Sequence, residues 1–102
     1  MNLIQILLPL RDNNGNAFPS SSYSVVRREL TQRFGGLTAF TRAPAEGLWK
    51  DGHDAVAKDN IVIFEVMVDE LEDAWWQKYK NTLKAIFSQD EIFIRVQDIR
   101  LI

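Results

Sequence analysis

The strongest hydrophobic pattern in the chain is a run of β-branched and other apolar residues at positions 61–68, which a single carboxylate, Glu65, interrupts. β-Branched residues favour a pleated and packed surface. A run this apolar is typical of a central strand whose two faces are both at least partly covered. The pattern therefore predicts a buried strand with one charged side chain near its middle.

Five other segments have the periodicity of a strand or a helix. They are a strand at 3–8, a helix at 23–34, a short strand at 37–41, a second helix that begins at Asp69 or Glu70, and a strand at 92–96 that could continue through 99–102. Residues 20–22 are serines and are candidate N-caps of the first helix. Gly35 and Gly36 are typical of its C-terminal end.

A hairpin is predicted immediately before the central strand. Residues 48–50 and 55–57 form its two arms, and residues 51–54, which begin with Asp-Gly, form its turn. The only histidine, His53, lies in this turn beside two aspartates. We interpret it as a solvated turn residue in preference to a metal ligand or a catalytic base.

In chain order the elements read β-α-β-β-α-β. Right-handed crossovers in the two β-α-β units give a four-stranded antiparallel sheet with both helices on one face. This is the ferredoxin-like α+β fold, with the first and third strands central and a long hairpin between the second and third strands. At 102 residues the chain is expected to form a single domain over residues 1–102.

Alternation along the strands divides the sheet into two faces. The residues expected to point toward the helices are Ile4, Ile6, Leu8, Val62, Phe64, Val66, Val68, Ile92, Ile94 and Val96. The residues expected on the other side, called the open face below, are Leu3, Gln5, Leu7, Ile61, Ile63, Glu65, Met67, Phe93, Arg95 and Gln97. The open face is thus mainly apolar, with Gln5, Glu65 and Arg95 at comparable depths.

An apolar face of this size is expected to be covered by a partner, because large exposed apolar patches usually mark interfaces. We expect two copies of the chain to pack open face to open face as a homodimeric α/β barrel. The expected interface residues are Leu3, Leu7, Ile61, Ile63, Met67 and Phe93.

Two interpretations of the polar residues on this face remain open. In the first, Gln5, Glu65 and Arg95, together with Trp49, line a ligand pocket in which Glu65 accepts a proton or a hydrogen bond. In the second, Glu65 and Arg95 form a buried ion pair that Gln5 supports and that fixes the register of the dimer. The segment from Pro44 to Trp49 likewise fits either a pocket wall or a β-bulge, and a bulge is the simpler interpretation.

Composition narrows the functional classes. The formal net charge of −2 gives no electrostatic footprint for nucleic acid or an anionic membrane. The absence of cysteine excludes thiolate catalysis and cysteine metal sites, and it fits a reducing cytosol. We therefore expect a cytoplasmic protein with no nucleic-acid or membrane partner, no metal and no cofactor.

The segments 33–38 and 46–49 resemble small uncharacterised bacterial or phage proteins, in which a helix ends at glycine and a Leu-Thr strand leads to a tryptophan-containing hairpin. By its pattern of elements the whole chain also resembles the dimeric α/β-barrel superfamily, which includes cofactor-free monooxygenases. The resemblance implies a ferredoxin-like fold and a homodimer, and it implies no particular activity.

These observations predict a small homodimeric binding or interaction protein without an assigned catalytic activity. An alternative is a cofactor-free enzyme of the monooxygenase or isomerase kind, acting on a small molecule on the open face. A third interpretation is a regulatory module that binds a small effector there. A concave space of some hundreds of Å³ with converging polar groups would favour a ligand site over a packed interface.

Overall fold

The computed structural model describes the backbone of residues 1–50 and 56–102 and the side chains of residues 1–39 and 61–102. The elements are β1 (Asn2–Pro9), α1 (Ser20–Phe34), β2 (Thr38–Lys50), β3 (Val56–Val68), α2 (Asp73–Ile86) and β4 (Phe93–Asp98). The predicted turn at 51–54, with His53, lies outside the described residues. None of the helices in the described parts of the chain is long and apolar enough to cross a membrane.

The four strands form one antiparallel sheet in the order β2-β3-β1-β4. The two central strands are β1 and β3, as the order of the elements predicted and as the apolar run at 61–68 predicted for β3. Both helices pack on one side of the sheet, since buried residues of α1 and α2 belong to the same cluster as those of the strands. The ferredoxin-like α+β fold is therefore confirmed.

The core consists of one row of residues from each central strand and the apolar stripes of the helices. Its buried members are Ile4, Ile6, Leu8, Val26, Leu30, Val62, Phe64, Val66, Trp76, Tyr79, Leu83, Phe87 and Ile92. Each large apolar side chain that folding removes from water contributes about 1.5–3 kcal/mol. The face of the sheet toward the helices is therefore fixed by the alternation of the strands.

The helix ends differ in part from the prediction. Helix α1 begins at Ser20 after Pro19, whose extended backbone leads directly into the helix, so the three serines lie in its first turn. Its end is as predicted: Gly35 has a φ of 79°, and its N–H donates to the carbonyl of Thr31. Helix α2 begins at Asp73 and not at Asp69 or Glu70, because residues 69–72 carry the chain from the sheet to the helix layer.

The predicted short strand at 37–41 and the hairpin arm at 48–50 belong to one strand, β2. The register of its pairing with β3 shifts between Phe40 and Ala45. Pro44 lies in this segment, and proline has no backbone N–H to donate a hydrogen bond to a neighbouring strand. The predicted hairpin pairing is confirmed where Trp49 lies opposite Ala57.

The edge strand β4 is less covered than predicted. Val96 lies on the side of the helices, opposite Ile4, but it is 45% exposed. Edge position explains this difference, because β4 has a neighbouring strand on one side only. Residues 99–102 do not continue the strand, although the Ile99 N–H donates to the Met1 carbonyl at 2.9 Å.

Candidate functional site

Four polar side chains form one row across the open face. The strand register places Thr38 opposite Glu65, Glu65 opposite Gln5, and Gln5 opposite Arg95. The three residues that the sequence placed at comparable depths therefore lie side by side. Thr38 was not predicted to belong to them.

The contact at the centre of this row joins Gln5 to Glu65. The amide Nε2 of Gln5 donates a hydrogen bond to Oε2 of Glu65 over 2.7 Å, and both side chains are half-buried. This hydrogen bond compensates part of the cost of holding a carboxylate on an apolar surface. The carboxylate has further lone pairs that could accept a hydrogen bond from a ligand.

Arg95 lies on the far side of Gln5 from Glu65. Because β1 separates β3 from β4, the two charged residues are two strand spacings apart, about 10 Å between their backbones. Among the described side chains, Glu65 and Arg95 form no ion pair, and Arg95 is exposed. The ion-pair interpretation expected Arg95 to contact Glu65. In the single chain Gln5 makes this contact instead.

The apolar residues around this row are only partly covered. Leu3, Leu7, Ile61 and Ile63 are half-buried. Met67 is 50% exposed and Phe93 is 65% exposed, so the expected interface residues are open to solvent in the single chain.

The structure does not bring Trp49 to the row. Trp49 lies opposite Ala57, eight residues before Glu65 on β3. Eight residues of extended strand span about 27 Å. Trp49 therefore belongs to the far end of the long hairpin, and its side chain lies outside the described residues.

A cleft of about 450 Å³ lies at one end of the row, where the open face meets the end of α1. We call it the Glu65 cleft. Its lining residues are Leu3, Phe34, Gly35, Gly36, Leu37, Thr38, Glu65, Val66 and Met67. Sequence reasoning interpreted the two glycines only as a helix end, but a Cβ added to Gly36 would meet no atom within 4 Å, which shows the open space beside it.

A second groove, of about 430 Å³, adjoins the Glu65 cleft and shares Phe34 and Met67 with it. Its other lining residues include Asp69, Glu70 and Glu72 as well as Arg33. Arg33 pairs with Glu72, with 2.5 Å between Nη2 and Oε2. The groove thus carries more carboxylates than cationic side chains.

The outer surface of the helices carries a third groove, of about 630 Å³, between α1 and α2. There the rings of Trp75 and Tyr79 stack with centroids 4.8 Å apart, and the Arg33 guanidinium lies 4.3 Å from the Trp75 ring centre. The Tyr79 hydroxyl is buried and has no hydrogen-bond partner among the side chains that the structure describes. Burial, and then the nearby carboxylate of Glu29, raises the pKa of Tyr79. We interpret this cluster as helix packing.

The loop after β1 is closed by its own contacts. Oδ1 of Asp12 accepts hydrogen bonds from the N–H groups of Asn14 and Asn16, and Arg11 donates to the Gly15 carbonyl. These hydrogen bonds hold the loop without help from any other described element. In the described residues, no group of three or more acidic or histidine side chains could hold a metal ion.

Comparison with known proteins identifies solved structures of similar fold, but it does not assign the chain to a family. No family model matches the chain. No curated protein matches it either.

Solved structures with this fold include a phage SAM lyase in complex with S-methyl-5'-thioadenosine, with a TM-score of 0.62, 13% identity and coverage of 95% of this chain and 80% of the lyase. A phage SAM lyase in the apo state has a TM-score of 0.58, 13% identity and coverage of 94% and 78%. A point mutant of CutA1 from Pyrococcus horikoshii OT3 has a TM-score of 0.61, 16% identity and coverage of 100% and 86%. At these identities the likeness shows the fold alone.

We predict that Glu65→Gln changes the free energy of unfolding by less than about 1 kcal/mol, because a glutamine keeps a hydrogen bond to Gln5 and no ionic partner is lost. Urea unfolding measures this change. Asp90→Asn, which removes the same charge from an exposed site, is the matched control. A loss of about 3 kcal/mol for Glu65→Gln alone would instead indicate a buried ion pair with Arg95.

Proposed function

We propose that this protein is a homodimeric binding protein whose open faces pack against each other and whose Glu65 cleft holds a small molecule at the edge of that interface. The sequence predicted a binding protein and offered Gln5, Glu65, Arg95 and Trp49 as pocket residues. We keep Glu65 and propose the cleft beside it as the place of the ligand. The observation that carries it is the Glu65 cleft itself, a space of about 450 Å³ that a half-buried carboxylate of the open face lines.

The exposed apolar residues support an interface on the open face. Phe93 and Met67 are each at least half exposed, and they flank the half-buried Leu3 and Leu7. Contact with a second copy would remove these side chains from water, which contributes about 25 cal/mol per Å² of apolar surface.

The cleft supports binding of a small molecule. It has the size of a ligand site, and apolar walls with few polar groups are typical of such sites. Since Leu3, Glu65 and Met67 belong both to the open face and to the cleft, a second copy on that face would also narrow the opening of the cleft.

We predict that Phe93→Glu converts the dimer to a monomer, because it places a charge among the apolar residues of the proposed interface. Size-exclusion chromatography with light scattering at micromolar concentration measures the mass. Val96→Glu is the matched control, since Val96 is also exposed on β4 but lies on the other side of the sheet. A wild-type protein that is monomeric at this concentration, or a dimer that Phe93→Glu leaves intact, would contradict the interface.

A second candidate is an enzyme that acts on S-adenosylmethionine. The fold is similar to that of a phage SAM lyase that holds S-methyl-5'-thioadenosine, over 95% of this chain. The Glu65 cleft offers one carboxylate among apolar walls, which is a usable arrangement for proton transfer or for orienting a substrate.

This candidate predicts that the protein breaks the sulfonium C–S bond of S-adenosylmethionine by elimination. The bonding electron pair stays on the sulfur of S-methyl-5'-thioadenosine, and Glu65 takes a proton from the four-carbon amino acid fragment, which leaves with a C=C double bond. Glu65→Gln is expected to lower the rate at least about a hundredfold. Liquid chromatography of the reaction measures the product, and Asp90→Asn is expected to keep the wild-type rate. If S-adenosylmethionine binds saturably and no product forms, the result favours a binding protein over an enzyme. If S-adenosylmethionine neither binds nor reacts, it is excluded as a substrate.

A further inference from the structure

We infer that the Glu65 cleft selects an organic cation, meaning a ligand with an ammonium or sulfonium group on an apolar body. This inference rests on the proposed function, because it names the class of ligand that the cleft would bind. It is carried by the charges and the polarity of the residues that line the cleft.

Glu65 is the single charged side chain among the nine described residues that line the cleft. It is half-buried, and its described contact is with the neutral amide of Gln5, so that contact leaves its negative charge uncompensated. A partly desolvated carboxylate favours a cation in its vicinity and disfavours an anion.

The end of α1 adds negative charge to the same space. Helix α1 ends at Phe34, and Phe34, Gly35 and Gly36 all line the cleft. The C-terminal end of a helix carries the equivalent of about half a negative charge on its last carbonyl groups. The carbonyl groups at the end of α1 and the carboxylate of Glu65 therefore both favour a positively charged ligand.

The cationic side chain in the last turn of α1 is directed elsewhere. Arg33 pairs with Glu72 in the adjoining groove and lies over the ring of Trp75, and it does not line the cleft. The negative charge at the end of the helix is therefore not neutralised from within the cleft. Asp69 and Glu70 line the adjoining groove, and they add to the negative potential beside the cleft.

The walls of the cleft restrict the kind of cation. Leu3, Leu37, Val66 and Met67 offer methyl and methylene groups, and the side chain of Phe34 completes the apolar surface. Small inorganic cations require several oxygen ligands in place of their water. An organic cation carries its own apolar surface, so it gains from these walls and from Glu65 together.

Three probes of nearly equal shape and different charge test the inference: choline, its neutral analogue neohexanol, and the anion tert-butylacetate. The full chain, labelled for NMR, is titrated with each probe while the amide signals of Gly35, Gly36 and Glu65 are followed. We expect choline to bind at least about tenfold more tightly than neohexanol, and tert-butylacetate to bind most weakly. In Glu65→Gln we expect the preference for choline to fall at least about fivefold, while Asp90→Asn keeps it.

Thermal unfolding and a dispersed amide spectrum confirm that each variant is folded, and Glu65→Asp, which keeps the charge, is expected to retain the preference for choline. Neutral or anionic probes that bind at the cleft as well as choline does would overturn the inference and leave the proposed binding function standing. If none of the three probes shifts the cleft signals, both the inference and small-molecule binding in the cleft are overturned. The dimer is tested separately by its mass.

Discussion

The structure depends on the antiparallel pairing of β1 with β3. Eight residue pairs, from Asn2 with Val68 to Pro9 with Ile61, fix the register of the two central strands. A slip of one residue would move every side chain to the opposite face. The same pairing thus places Ile4, Ile6 and Leu8 under the helices and brings Gln5 against Glu65 on the open face.

One face of this sheet stabilises the fold, and the other is available for contacts with a second copy or a ligand. The chain's own helices bury the face of the two central strands that is directed toward them, apart from the half-buried Val68, and this face supplies the hydrophobic stabilisation. The open face is also mainly apolar, but in the single chain it keeps Met67 and Phe93 exposed. Because these apolar side chains are exposed, we propose that a second copy covers the open face. Because a cleft lies beside the half-buried carboxylate of Glu65, we propose that a ligand binds there.

Much of the fold could be predicted from the sequence, because strand alternation and helix periodicity are local patterns. They identified the central strands, the core residues of those strands and the row of Gln5, Glu65 and Arg95. The site could not be predicted in full, because it depends on distances between elements. Residue patterns did not show that Gln5 separates Arg95 from Glu65, that Trp49 lies far along the hairpin, or that the end of α1 opens a cleft beside Glu65. The exposure of Val96 likewise follows from its place on an edge strand and not from its own residue type.

The chain has two methionines, and their oxidation tests the central claim that a second copy covers the open face. Met1 is 46% exposed and Met67 is 50% exposed in the single chain, so equal reactivity is expected of a monomer. Dilute peroxide followed by peptide mass spectrometry measures both rates in one sample. If a second copy covers the open face, Met67 is oxidised several times more slowly than Met1 at high protein concentration, and Phe93→Glu removes the difference. Equal rates for the two methionines in the concentrated wild-type protein would contradict it.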